Sequence, residues 1–204
     1  EHYDGPMFAR IRHIQDLIID NAVFDDLLSY LYYPSPYCFD VIPLKSISDI
    51  YDLFLGYHLE YDDSGILENV LKSEFRKSNG AVTTPEHIVH NTIDSTVPSE
   101  YLQSLTNQQI LDLKFLDPAC GSGVFLVSIY DHLATQIESN IEERKDVLPH
   151  RYLYEKDGKK YLNLEGRKLI VNQCLHGVDI NQECVEVAKL SLSLKIIDGF
   201  EPID

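Results

Sequence analysis

The feature that most constrains the fold is a short apolar run that ends in an acid and turns through two glycines into an amphipathic stretch. Lys114-Phe115-Leu116-Asp117 is followed by Pro118-Ala119-Cys120 and by Gly121-Ser122-Gly123. Val124, Phe125, Val127, Ser128, Tyr130 and Leu133 then follow at helical spacing. The order predicts strand, glycine turn and helix. A second run, Cys174-Leu175-His176-Gly177-Val178-Asp179, also reads as a strand ending in an acid, and Asn181 is placed to cap a helix through Val185, Val187, Ala188, Leu190 and Leu194. Between the two units, Tyr152-Leu153-Tyr154 and Tyr161-Leu162-Asn163 flank Asp157-Gly158, the pattern of a hairpin insertion.

This alternation favours a nucleotide-like ligand. Gly121 and Gly123 let the backbone approach a ligand and turn free amides toward it at a helix start. Asp179, at the end of the next strand, is placed to accept ribose hydroxyls. A dinucleotide fingerprint requires a third small residue where Leu126 stands, and an acid about twenty residues on rather than the roughly sixty between Asp117 and Asp179. Pyrophosphate is therefore disfavoured. Asp117 beside the turn repels a phosphate but suits a ligand carrying an amino group and a sulfonium. Cys120 is read as a small residue in a tight turn, and Ser122 lacks the glycine two positions earlier that a nucleophile elbow needs.

Upstream the pattern is helical. Phe8, Ile11, Ile14 and Ile18 predict one helix. Val23, Phe24, Leu27, Leu28 and Leu31 predict a second, behind an Asp20-Asn21 cap. Pro34, Pro36 and Pro43 make a loop. Ser48 or Asp49 is placed to cap a helix through Ile50, Leu53, Phe54 and Tyr57, and residues 73–84 form a polar loop. Thr84-Pro85 marks a helix start, with the hydroxyl as cap and Pro85 at the first helical position; Val89, Ile93 and Val97 share its face until Pro98.

Composition sets limits on partners. The chain has 33 Asp and Glu against 17 Lys and Arg, a formal net charge of −16. DNA binding rests on phosphate neutralisation by Lys and Arg, so this segment alone is a poor DNA ligand. No apolar run reaches the roughly 18 residues of a membrane span. Cys38, Cys120, Cys174 and Cys184 form no close pair, which points to packed thiols in a reducing, cytoplasmic setting; Cys174, His176 and Cys184 do not complete a zinc site. Both chain ends read as cuts within a longer polypeptide.

The string Phe115-Leu116-Asp117-Pro118-Ala119-Cys120-Gly121-Ser122-Gly123-Val124-Phe125-Leu126 resembles the cofactor motif of N6-adenine DNA methyltransferases, and most of all the type IIG-like restriction-modification enzymes that fuse nuclease and methyltransferase. His176-Gly177-Val178-Asp179-Ile180-Asn181 resembles their second motif. The segment from Arg76 to Val89, containing Thr84-Pro85, is similar to the one that closes over the cofactor, and Ile50 to Gly56 to the helix leading into it. The resemblance spans Ile47 to Leu194. It implies S-adenosylmethionine as cofactor. Asp117, Pro118, Ala119, Cys120, Gly121, Ser122 and Gly123 would lie around its methionine part, with Asp179 on the ribose, Ile180 against the adenine, and Thr84 and Pro85 near the methionine tail.

The sequence also departs from that family. Val82 and Thr83 stand where aromatics usually precede Thr-Pro. The element that carries out transfer, Asn/Asp/Ser-Pro-Pro-Tyr/Phe, is absent, since the chain has no Pro-Pro; Pro34-Ser35-Pro36-Tyr37 has the wrong order and precedes the cofactor motif. No catalytic residue or metal ligand is assigned, and the chain alone is expected to be inactive. The implied fold is a helical connector, 1–111, followed over 112–204 by the start of a doubly wound, Rossmann-like α/β methyltransferase domain. Double-stranded DNA would be held by parts of the parent outside this chain, and the unfinished sheet edge leaves room for a dimer or partner subunit. The rival expectation is a non-catalytic connector between nuclease and methyltransferase.

Overall fold

The computed structural model describes residues 18–32, 57–71, 84–143 and 146–198, with residues 16, 46 and 50 singly; the side chains of 58, 59, 71 and 198 lie outside that description. The helix expected over residues 8–18 and the loop expected over 73–84 fall almost wholly outside the described residues.

Two pieces precede the main body. Helix α1, Asn21–Leu31, starts where expected: the Asp20 carboxylate accepts from the Ala22 amide at 2.9 Å. It buries no side chain of its own. Strands β1, Tyr57–Tyr61, and β2, Leu67–Leu71, form an antiparallel hairpin. Tyr57 thus opens a strand and does not end a helix. Its spacing from Ile50 and Phe54 is helical, but the Asp62-Asp63-Ser64-Gly65 turn pairs it with Leu71 instead. One Asp62 oxygen accepts from the amides of Ser64 and Ile66 at 3.0 and 2.7 Å, and the other from the Ser64 hydroxyl at 2.7 Å. These bonds, led by the hydroxyl, hold its carboxyl below the usual carboxylate range.

The main body begins at α2, Glu86–Thr96. Val89, Ile93 and Val97 are buried, as their spacing predicts. The start differs from expectation. Pro85 is itself the N-cap, with φ −56° and ψ 140°, and no side chain caps the helix, so the Thr84 hydroxyl does not have that role. Two short helices follow, α3, Ser99–Gln103, and α4, Asn107–Asp112. The second carries a capping box: Thr106 Oγ1 accepts from the Gln109 amide and Gln109 Oε1 from the Thr106 amide. Strand β3, Phe115–Asp117, leads through the glycine turn into α5, Val124–Glu142.

Helix α5 is the centre of the core. Leu126, Tyr130, Leu133, Ala134, Ile137 and Ile141 recur at three- and four-residue steps and are all buried, against Val97, Leu102, Ile110, Leu111, Leu162, Ile170 and Leu192 from elements on both sides. The buried face is centred on Leu126 and Tyr130, so Val124, Phe125 and Val127 are only half-buried. Fully burying a Leu or Ile side chain stabilises by about 1.5–3 kcal/mol. The helices before residue 112 therefore share one core with the elements after it. A polar cluster fastens α4 to α5. Asn140 Nδ2 donates to Asn107 Oδ1 at 2.9 Å, and Asp146 accepts from the Asn107 amide at the start of α4. Buried amides cost little when each finds a partner in this way.

Beyond α5 a 3-10 turn, His150–Tyr152, opens the expected hairpin of β4, Leu153–Lys156, and β5, Lys159–Leu162. Asp157 and Gly158 have φ of 52° and 75°, the left-handed pair that a two-residue hairpin turn demands. Tyr154 and Tyr161 stack at 5.5 Å. Helix α6, Leu164–Cys174, is capped by Asn163, whose Oδ1 accepts from the Gly166 amide at 3.0 Å while its Nδ2 donates to the Arg151 carbonyl at 2.9 Å. Cys174 closes this helix and does not open the next strand, as the apolar run had suggested. Strand β6, Leu175–Gly177, is shorter than expected, and α7 covers Gln182–Asp198. Strands β3 and β6 pair in parallel, with Phe115↔Leu175, Leu116↔His176 and Asp117↔Gly177 in register. The body is thus mixed α/β with small sheets.

Two outcomes follow for stability. Leu133→Ala, at a site with no exposure, is expected to cost about 2–5 kcal/mol by urea denaturation. Burial pushes the Cys174 thiol up from 9.0 to about 11. Its folded form holds the proton more tightly than its unfolded form, so its contribution is whole below 9 and fades as pH rises toward about 11. The thermal midpoint is expected to fall over that window, and Cys174→Ala to flatten the fall.

Candidate functional site

The candidate site forms where β3 and β6 end side by side. Their pairing continues past the strands. The Val178 amide donates to the Asp117 carbonyl at 2.9 Å, and the Cys120 amide donates to the Val178 carbonyl at 3.0 Å. The two exits are thereby laced together, and the glycine turn is carried across to the second strand. There the Gly121 amide donates to Asp179 Oδ2 at 2.9 Å, while Asp179 Oδ1 accepts from the Asn181 amide at 2.8 Å. One carboxylate thus fixes the turn and starts α7, whose cap is Asn181, accepting from the Glu183 amide at 2.9 Å. Asp117 folds back on its own turn, with Oδ1 accepting from the Ala119 amide at 3.1 Å.

The turn needs its glycines for separate reasons. Gly121 has φ +51° and open space where a side chain would stand, so the surface above it is free. Gly123 has φ +91°, and a Cβ there would meet Ala188 Cβ at 2.9 Å. Gly177 is also tightly packed: a Cβ would lie 2.7 Å from Leu126 Cδ1 and 3.1 Å from Cys120 Sγ. Cys120 fills the space beneath the strand exits. Burial first, then the charges of Asp117 and Asp179, push its thiol up, the direction that disfavours the thiolate.

The structure brings together Asp117, Pro118, Ala119, Cys120, Gly121, Ser122, Gly123 and Asp179 around one strand exit. Within this group Cys120, Ser122 and Gly123 are buried, Asp117, Gly121 and Asp179 half-buried, and Pro118 and Ala119 exposed. Ile180 stands wholly exposed just past Asp179. Thr84, half-buried, and Pro85, exposed, sit at the start of α2. A cleft of about 370 Å³ runs between α2 and the β3–α5 unit, lined by Thr92, Thr96, Leu116, Asp117, Pro118 and Phe125 among others. It touches the site only through Asp117 and Pro118; Thr84, Pro85, Gly121 and Asp179 do not line it. The strand exits remain the stronger candidate, because free turn surface and carboxylates converge there. His87 and His90 are exposed on α2, and no group of three or more His, Cys, Asp or Glu among the described residues is arranged to hold a metal. No helix among them is long and apolar enough to cross a membrane.

Residues 91–198 match the family model of the MmeI DNA-methyltransferase domain, and that span runs from within α2 to the end of α7. The chain belongs to this family. It is 28% identical over 204 residues to the type II restriction enzyme and methyltransferase RM.Eco57I of Escherichia coli, covering 97% of this chain and 19% of that protein. It is 30% identical over 183 residues to the putative type II restriction enzyme and methyltransferase RM.MjaORFECS2P of Methanocaldococcus jannaschii, covering 72% of this chain and 14% of that one. The chain therefore spans less than a fifth of the length of these relatives. No solved structure matches. The fused restriction-modification resemblance drawn from the motifs is borne out.

Sequence reasoning missed two residues that shape the site. Gly177 stands in a motif whose residues do not reveal its contact with Cys120 and Leu126, and Ala188 reads only as one apolar position of a helix. Neither contact leaves a local signal.

Gly123→Ala is expected to destabilise more than Gly158→Ala. Both substitutions impose a positive φ on alanine, costing about 1–3 kcal/mol, but only the first also meets a neighbour. Denaturant midpoints of the two variants check this; equal losses would mean that the contact with Ala188 is loose.

Proposed function

We propose that this chain is the S-adenosylmethionine-binding part of a site-specific DNA methyltransferase, acting on adenine N6, within a restriction-modification enzyme. The observation that carries the proposal is the strand exit, where Asp117, Asp179 and the open surface over Gly121 meet beside the exposed Ile180.

The residues present fit the group. Two carboxylates flank a turn that carries no basic side chain, an arrangement that repels phosphate and favours a cationic sulfonium or ammonium. Asp179 uses one lone pair of each oxygen on backbone amides and keeps acceptor capacity for ribose hydroxyls. Ile180 offers an exposed apolar surface to a purine ring. In this reading Asp117, with the backbone from Pro118 to Gly123, holds the methionine part, Asp179 the ribose, and Thr84 and Pro85 approach the methionine tail. When bound, the cofactor supplies an electrophilic methyl on a positively charged sulfur. The contribution of this chain is to bind and orient it, and such positioning accounts for much of the barrier lowering in a displacement reaction.

The proposal extends to the parent. The printed names of the relatives describe restriction enzymes and methyltransferases, which supports DNA as the substrate. With a net charge of −16, the grip on double-stranded DNA is assigned to polypeptide outside this chain, as is the Pro-Pro element that would receive a flipped adenine. The β3–β6 pair is the proposed start of a doubly wound, Rossmann-like sheet, and the setting is cytoplasmic.

Calorimetric titration with S-adenosylmethionine, with NAD as control, tests the reading. Saturable binding of the first alone is expected, weakened about tenfold or more in Asp179→Ala, equivalent to about 1.4 kcal/mol. The purified chain is expected to methylate no DNA. Binding of neither ligand, or of NAD in preference, would overturn the assignment, and robust turnover would overturn the division of labour.

A further inference from the structure

The glycine turn rests on α7. At Gly123, where φ is +91°, a Cβ would fall 2.9 Å from the Cβ of Ala188 and 3.1 Å from its Cα. A side chain at position 123 would thus meet both the methyl group and the backbone of Ala188, so the turn packs closely on α7 at this residue. Ala188 is 4% exposed and its neighbour Val187 2% exposed, so a larger side chain at position 188 would start from a buried position. Just before the same helix lies Asp179, whose carboxylate receives the Gly121 amide at 2.9 Å. The turn is thus held at two points: tied at Asp179, three residues before α7, and resting on Ala188 within α7. Their spacing is fixed by the helix, since the Val185 amide bonds to the Asn181 carbonyl in the first turn after Asp179.

We propose that Ala188 is a positioning residue whose small side chain lets the glycine turn sit close enough to α7 for the Gly121 amide to reach Asp179. A side chain larger than alanine lifts Gly123 away from α7 and takes Gly121 with it, two residues earlier in a turn closed by the bond from the Gly123 amide to the Cys120 carbonyl. A smaller one leaves the bond in place. The arrangement differs from ordinary core packing, because its effect is read at a backbone amide on the surface of the site and not only in stability. Its bearing on ligand affinity rests on the S-adenosylmethionine reading above; its bearing on the Gly121 bond does not.

The test uses the full 204-residue chain with Ala188→Gly, Ala188→Ser and Ala188→Val, and Ile170→Val as a buried control in α6. Amide hydrogen exchange is measured at Gly121 relative to Leu133 in the core, alongside cofactor titration. The valine variant is expected to lose about tenfold in the ratio of Gly121 to Leu133 protection, the serine variant about threefold, and the glycine variant and the control almost nothing. Cofactor affinity is expected to fall in the same order. Should the valine chain not fold, the serine ratio decides alone. An unchanged ratio in the larger variants, or an equal loss in Ile170→Val, overturns the role of Ala188. Absence of cofactor binding by the unaltered chain overturns the functional reading instead, and the exchange ratios still decide between a prop and a bystander.

Discussion

The body of this protein is organised by the burial of one face of α5. Its six apolar positions, from Leu126 to Ile141, accept side chains from the short helices before it and from the hairpin, α6 and α7 after it. Without that helix the remaining elements have little to lean on: α3 and α4 are five and six residues long, and β3 and β6 three residues each. Helices and strands of that size do not persist alone in water, because nucleation costs more than a turn or two returns. Some polar groups at the margins of this core are matched, while Ser191 Oγ on α7 is buried without a partner among the described residues. Tyr130, at 1% exposure, has its hydroxyl oxygen 3.5 Å from Arg167 Nη1, and the same guanidinium bonds to Glu138 at 3.2 Å. His132 Nε2 lies 2.9 Å from the carbonyl of Val97, the residue that caps the end of α2.

The same helix fixes the site, since its first turn is the continuation of the glycine turn. The chemistry of the strand exits comes from arrangement more than from unusual residues. Two aspartates, two glycines and a buried cysteine acquire meaning only because three backbone bonds and one carboxylate bring them to the same edge. Cys120 illustrates this well. At a helix start a thiol would ordinarily be acidified, but burial and two neighbouring carboxylates act in the opposite sense and make it a space-filling group.

What could be read from the sequence was local. The strand, turn and helix from Phe115 onward carried a complete set of signals within twenty residues, and Asp157-Gly158 specified its hairpin through the need for two positive φ values. Asp20 and Asn181 capped as expected. The short helices α3 and α4 were not seen because five or six residues show no periodicity; Thr106 and Gln109, three apart, were the available sign. Helix α6 was missed because it buries only Gly166, Ile170 and Cys174, too sparse a pattern to stand out, and its last residue was read into the strand that follows. The hairpin from Tyr57 to Leu71 lost to a helical spacing that happened to run through Tyr57. At the site, the acids and glycines were legible one by one, whereas the contact of Gly123 with Ala188 joins segments far apart in the chain and leaves no trace in either.

The bond between Gly121 and Asp179 spans 58 residues of sequence, and β3 meets β6 across a similar gap. Contacts of that separation form late, because the closure entropy of the intervening loop is repaid only once its own hairpin and helices are in place. Helix α5 and the β4–β5 hairpin rest on local contacts, whereas the strand-exit edge requires contacts between distant segments. A chain emerging during synthesis presents its glycine turn unsupported until residues beyond Asp179 have been made. The geometry of the strand exit therefore depends on every element between its two halves being in place.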